Sequence, residues 1–171
     1  MGFSLGFYRI DGGELVDPDR EGIAEFLRVR GLRVEHRSLV DDDGAVLAFD
    51  GAWSDLYLDP LDQDGPLSGG IDHATLTAAE CEFIYGLCVA GRLMVVNPQG
   101  DPMYVVPARN HGDEALPDPE GTTWVDSPEE LASALGAGFG EFQEYRCRVM
   151  SSYLSDWSED QGGTVSGVGG W

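Results

Sequence analysis

The sequence contains no lysine, and its ten basic residues are all arginine. Against them stand 31 Asp and Glu residues, which give a formal net charge of −21 at pH 7. Residues 1–40 hold six arginines and seven acids, whereas residues 41–171 hold four arginines and 24 acids. No arginine occurs between Ser38 and Gly91. Such a surface repels nucleic acid and anionic membranes and attracts basic proteins at long range, so the charge argues against a direct nucleic-acid-binding or membrane-binding function.

Cysteine is scarce, and no segment has the composition of a secretion signal or a membrane span. The first residues lack the basic and apolar pattern of a secretory signal. The most apolar stretch, Phe83–Val96, is too short to cross a bilayer and is interrupted by Arg92. Cys81 and Cys88 stand seven residues apart on a predicted helix, which is too far for a disulfide and lacks the usual metal-ligand spacing. We therefore expect a cytoplasmic protein in which these two thiols are buried as small apolar groups.

Several short motifs resemble functional sites but lack the context that the chemistry requires. Asp41-Asp42-Asp43-Gly44 and Asp62-Gln63-Asp64-Gly65 resemble calcium loops without the flanking ligands, which favours turns. Gly2-Phe3-Ser4-Leu5-Gly6 matches a serine-hydrolase pattern but has no preceding strand. Gly136-Ala137-Gly138 follows a helix rather than a strand, which favours a hinge between two helices over a phosphate loop. We expect neither a structural metal nor a cofactor.

Capping residues, turn residues and periodicity predict an α+β fold with a mainly antiparallel sheet and three to four helices. The predicted organisation is a single domain over 1–160 followed by a disordered glycine-rich tail over 161–171. Asp17-Pro18 predicts the start of a helix over about 18–30, and Thr77 with Glu80 predicts a second over about 78–90. Ser127-Pro128 predicts a third helix, and apolar residues at helical spacing from Phe142 to Trp157 predict a fourth. The first strand is predicted at 3–10, a third consecutive strand at 53–58, and hairpins at 32–49 and 92–107.

One predicted strand carries aromatic and acidic side chains on a single face. Because neighbouring residues of a strand point to opposite faces, Leu56 and Leu58 share the core side. The opposite side carries what we name the acidic aromatic stripe: Trp53, Asp55, Tyr57 and Asp59. Acidic turns flank the stripe and complete the predicted partner-binding residues: Asp41, Asp42, Asp43, Asp62 and Asp64. Aromatic rings beside carboxylates suit an arginine-rich partner through ion pairs and cation–π contacts.

The leading functional hypothesis is a non-catalytic acidic protein that sequesters or inhibits a basic protein, as a bacterial immunity protein neutralises a toxin. A basic active-site cleft would attract such a surface by electrostatic steering. A second hypothesis is a small enzyme that uses Cys147, flanked by Arg146 and Arg148, with one of the three histidines, or that uses paired carboxylates. A third is an adaptor whose acidity only maintains solubility. Should the stripe be buried, the loop at 108–123 is the alternative binding face.

Overall fold

The computed structural model describes residues 2–160, with side chains up to Ser151, and these residues form an α+β fold. One large, mostly antiparallel sheet is accompanied by three helices within this range, which confirms the predicted fold class. The predicted tail, 161–171, lies outside the described residues. The chain divides into two compact units, Met1–Phe139 and Gly140–Trp171. A single domain over 1–160 stays a prediction.

The described residues form eleven strands and three helices, and six consecutive strands separate α1 from α2. The strands are β1 Leu5–Asp11, β2 Glu14–Val16, β3 Leu32–Glu35, β4 Ser38–Asp41, β5 Ala48–Phe49, β6 Ala52–Trp53, β7 Leu56–Leu58, β8 Gly69–Ile71, β9 Met94–Val96, β10 Tyr104–Pro107 and β11 Thr122–Val125. The helices are α1 Arg20–Val29, α2 Ala78–Gly91 and α3 Pro128–Asp160, and a short 3-10 turn spans Asp113–Ala115.

The first strand lies in the middle of the sheet. The strand order is β11-β10-β9-β1-β8-β7-β4-β3, and β2 pairs with β1 outside this path. Pairing is antiparallel throughout except between β10 and β11, which are parallel. β5 and β6 form a separate two-stranded sheet. Within residues 2–160, β3 and β11 are therefore the two terminal strands of the path.

Alternation along β1 divides the core into two parts. Leu5 and Phe7 point to the same side of the strand and are buried, as are Ile23 of α1 and Leu87 of α2. A smaller cluster of Ile10, Met94, Val106 and Leu116 includes the opposite side of β1. Because Leu116 comes from the loop at 108–123, part of that loop is packed against the sheet.

The two predicted N-terminal helices are present, but the first is capped by a different residue. Asp19, not Asp17, is the N-cap of α1, and its side chain accepts a hydrogen bond from the Gly22 amide at 2.9 Å. The carboxylate of Asp17 instead pairs with Arg20 at 2.8 Å. Thr77 caps α2 as predicted. α1 and α2 contact each other through Phe26 and Phe83, whose rings meet edge to face with centroids 5.2 Å apart.

The hairpin predicted over 32–49 is wrong, because the chain reverses at a different place. The chain reverses at His36-Arg37, where both residues have positive φ angles of 50° and 70°, so that β3 and β4 form a shorter hairpin. The turn at Asp41–Gly44 leads only to a single bridge between Val40 and Val46. A second tight hairpin, β5–β6, reverses at Asp50-Gly51. By contrast, the predicted hairpin over 92–107 is confirmed as β9–β10.

The predicted hinge at Gly136-Ala137-Gly138 is also wrong, because α3 continues through it as one helix. Glycine weakens a helix but ends it only where the backbone takes a left-handed conformation. At Gly138 an added Cβ would lie 3.5 Å from Asn97 Nδ2, next to the β9–β10 turn. This is an ordinary contact distance, so an alanine would also fit where the helix passes that turn.

Burial decides the reactivity of the three cysteines. Cys81 and Cys88 are buried and unpaired, as predicted, whereas Cys147 is exposed on α3. Burial raises the pKa of the Cys81 thiol to about 11 and raises that of Cys88 well above its ordinary value.

A thiol reagent is therefore expected to modify only Cys147 rapidly in the native protein, because the thiolate is the reacting species. Cys81 and Cys88 should react only after unfolding in urea. The measurement is the time course of a colorimetric thiol assay with and without urea, with Cys147→Ser as the control that loses the fast phase. Rapid reaction of a second thiol in the native protein would contradict the assignment.

Candidate protein-binding surface

Trp53 is the most exposed large apolar residue of the described chain, with 87% of its surface accessible. It lies opposite Ala48 in the β5–β6 hairpin. The same hairpin is held by Phe49, whose ring packs edge to face on Phe83 at 5.5 Å. An exposed tryptophan on an anchored hairpin is a candidate contact residue, because tryptophan is enriched among the residues that dominate binding energy at interfaces.

Asp55 and His73 form an exposed pair beside this hairpin. The Asp55 carboxylate contacts Nδ1 of His73, and both side chains are more than half exposed. Sequence analysis placed Asp55 in the stripe but did not identify His73 as its partner. The carboxylate of Asp55 therefore already has a hydrogen-bonding partner within the chain.

Tyr57 is half-buried rather than fully exposed, and its ring already contacts an arginine of this chain. The guanidinium of Arg37 lies 4.7 Å from the centre of the Tyr57 ring. Tyr57 stands opposite Gly70, which in turn stands opposite Gly6 on β1. A Cβ on Gly70 would come within 2.6 Å of the Tyr57 hydroxyl, so glycine is needed beneath the ring. Burial, followed by nearby acidic charge, raises the pKa of Tyr57 above its ordinary value.

Asp59 is largely buried, so its expected exposure is wrong. Its carboxylate accepts hydrogen bonds from the Ser68 amide at 2.9 Å and the Ser68 hydroxyl at 2.8 Å, and it pairs with Arg37 at 3.0 Å. Burial acts to raise the pKa of Asp59, but these bonds and the Arg37 charge outweigh it and hold the pKa below the ordinary value. Arg37 thus makes with Tyr57 and Asp59 the contacts that we had assigned to a partner's arginine. Both residues act in the fold of this chain.

The two acidic turns that flank the stripe differ in how their carboxylates are used. The Asp41 side chain turns inward and accepts hydrogen bonds from the amides of Asp43 and Ala45 at 3.0 and 2.8 Å, which confirms an Asp-stabilised turn. Asp42 and Asp43 are exposed. Neither forms a direct ion pair among the described residues.

Arg20 organises the loop that carries Asp62 and Asp64. Its guanidinium donates to the carbonyl oxygens of Leu61, Gln63 and Gly65 at 2.8, 2.8 and 2.6 Å. The carboxylates of Asp62 and Asp64 remain exposed. The sequence showed the acids of this loop but not the arginine at its centre, which lies more than forty positions earlier in the chain.

A groove brings one acid from each turn together. It encloses about 650 Å³ between α1, β3 and the segment that follows β7, and both Asp42 and Asp62 line it. Sequence analysis did not identify the apolar residues that share its lining: Ala24, Leu27, Leu32, Val34, Pro60 and Leu61. Hydrophobic periodicity does mark Leu27, but nothing in the sequence indicates that these elements meet.

The surroundings of Cys147 and of His111 are each described within their own part of the chain. The surface hollow beside Cys147 is lined by residues of its own helix, Gly140, Gln143, Glu144 and Arg148. The His111 ring is occupied by hydrogen bonds to the Ile10 amide and the Asn110 side chain. In residues 2–160 there is no group of three or more His, Cys, Asp and Glu placed to hold a metal ion. The enzyme hypothesis gains no geometric support from these contacts.

Among residues 2–160, no helix combines the length and the apolar character that crossing a bilayer demands. Comparison of the chain with protein families, with curated proteins and with solved structures gave no match.

Proposed function

We propose that this chain is a non-catalytic acidic protein that binds and sequesters or inhibits a basic protein, as an immunity protein neutralises a bacterial toxin. The observation that carries the proposal is the 87% exposed Trp53 on the anchored β5–β6 hairpin, whose turn carries the exposed Asp50. Phe49 fixes the hairpin on Phe83, so binding through the indole would not require the hairpin backbone to be ordered first. Tryptophan in a surface patch is the residue type most enriched at the energetic centre of interfaces.

The negative charge of this surface indicates that the partner is basic. Three exposed acids lie near or within the segment that forms this hairpin: Asp42, Asp43 and Asp50. Between Ser38 and Gly91 the sequence has no arginine or lysine, and its single basic side chain is a histidine. A basic partner would be drawn to this surface at a rate that falls as salt rises. The indole would then provide the buried contact that slows dissociation. The acidic side chains would thus speed association with the partner, and Trp53 would slow its dissociation.

The test is retention of partner proteins from cells of the source organism on the immobilised full chain, followed by affinity measurement with the purified partner. We expect a basic protein whose binding weakens with salt, and Trp53→Ala should weaken it by at least about tenfold, as for a central interface residue. Leu15→Ala is the matched control, because Leu15 is also an exposed apolar side chain (54%) but lies on β2. A partner that is acidic, or equal affinity for Trp53→Ala and the unmodified chain, would refute the proposal.

A further inference from the structure

The groove between α1 and β3 lies beside an open strand edge. β3 and β4 are joined by a two-residue turn, and their register pairs Glu35 with Ser38 and Arg33 with Val40. In an antiparallel hairpin of this kind the pair that closes the turn exchanges both backbone hydrogen bonds, and hydrogen-bonded pairs then alternate with non-hydrogen-bonded ones. Leu32 and Val34 therefore direct their N–H and C=O groups away from β4. Within residues 2–160, no other strand pairs with this edge.

The groove is lined by apolar side chains, two arginines and two aspartates, and within residues 2–160 the aspartates lack direct ion-pair partners. Two arginines line it, but Arg28 is paired with Glu25 at 2.7 Å and Arg33 with Glu35 at 3.1 Å. Asp42 and Asp62 have no direct ion pair among the described residues, so they leave the rim negative. Unpaired backbone groups give affinity to an added strand, and alternate side-chain subsites give it specificity.

We infer that the groove binds an extended segment of the basic partner, which adds to β3 as a further strand. Apolar side chains at alternate positions of the segment pack on Leu27, Leu32 and Val34, and its lysines or arginines reach Asp42 and Asp62. A second copy of this chain is the less suitable occupant, because each copy carries a net charge of −21. The inference rests on the proposed function and identifies the element by which the partner is bound.

The experiment uses the full isotope-labelled chain and a short blocked peptide that alternates lysine and valine. We expect the Leu32 and Val34 amide signals to shift on titration and to become protected from solvent exchange. The same peptide with alternate backbone N-methylation, or with glutamate in place of lysine, should not bind. The double variant Asp42→Asn, Asp62→Asn should weaken binding by about fivefold, in line with two partly exposed charge contacts. The matched double variant Glu14→Gln, Glu82→Gln removes the same charge at exposed positions on β2 and α2, outside the groove lining, and should change binding less than about twofold.

The outcomes separate this inference from the proposed function. Peptide-induced shifts confined to the β5–β6 hairpin, or equal effects of the two double variants, would overturn the groove assignment. Retention of a basic partner that depends on Trp53 would then leave the proposed function standing. Protection of the Leu32 and Val34 amides in the free chain, together with a dimer mass, would show a second copy as the occupant and would also overturn the inference. Failure of both the peptide and every basic protein to bind would refute the two together.

Discussion

Replacement of Glu80 by alanine is expected to lower the free energy of unfolding by about 3 kcal/mol, because two backbone donors would lose their acceptor. Glu80 is only 2% exposed. Its carboxylate accepts hydrogen bonds from the amides of Thr75 and Leu76 at 2.8 and 2.7 Å and from the Thr75 hydroxyl at 3.2 Å. Leu76 has a positive φ of 52°, a conformation that a leucine adopts only when its surroundings hold it there.

Urea denaturation followed by circular dichroism measures this loss. Glu82→Ala is the control, since Glu82 is exposed on the same helix and its replacement should change the free energy by no more than about 0.5 kcal/mol. Glu80→Gln retains one carbonyl oxygen as an acceptor and should fall between the two. A Glu80→Ala protein as stable as the Glu82→Ala protein would show that water replaces the carboxylate without cost.

Acidification is expected to destabilise the protein through His111. The ring is 7% exposed, its Nε2 accepts a hydrogen bond from the Ile10 amide at 3.4 Å, and its Nδ1–H donates to Asn110 Oδ1 at 2.6 Å. Burial, followed by the charges of Arg9 and Arg92, lowers the pKa of His111 to about 4 from an ordinary value of 6.5. Between about pH 4 and pH 6.5, His111 therefore binds a proton in the unfolded chain but not in the folded chain. As the pH falls from 6.5 towards 4, the free energy of unfolding should therefore decrease by about 3 kcal/mol through His111.

Carboxylates titrate in the same range, so the contribution of His111 is obtained by difference. The free energy of unfolding is measured between pH 7 and pH 4 for the unmodified chain and for His111→Gln, which keeps a polar side chain of similar reach. The pH-dependent loss should be smaller in His111→Gln by the amount given above. His36→Gln, at an exposed turn position, should retain the full loss. Identical pH profiles for the unmodified chain and His111→Gln would contradict a buried neutral His111.

The elements predicted well from sequence are those whose start and stop signals lie within a few residues of each other. Thr77 and Glu80 mark the start of α2, although the carboxylate of Glu80 reaches Thr75 and Leu76 rather than the Thr77 amide. The β9–β10 hairpin is similarly local. The turn at His36-Arg37 was missed because neither residue is a usual turn former, whereas the left-handed conformation is imposed by the pairing of β3 with β4. Parallel pairing of β10 with β11 is non-local and has no signal in the sequence.

The side-chain exposures of the proposed binding surface were predicted in part, for the same physical reason. Composition and alternation indicate which side chains are acidic or aromatic, and Trp53 is exposed as expected. Exposure of Asp59 depends on Arg37 and Ser68, which come from other parts of the chain, and strand alternation carries no information about them. The groove likewise requires α1, β3 and the segment after β7 to meet. Contacts of this kind follow from tertiary structure.

The central position of β1 has a consequence for synthesis on the ribosome. β1 is made first, but its partners in the main sheet are Gly69–Ile71 and Met94–Val96. Until the chain has emerged as far as Ile71, β1 can pair only with β2, and Leu5 and Phe7 have no neighbouring strand. Loop closure over such separations is slow compared with local turns. The nascent chain therefore carries β1 without its main-sheet partners while the segment between Asp11 and Gly69 is made, the period in which a chaperone that recognises extended segments would find it.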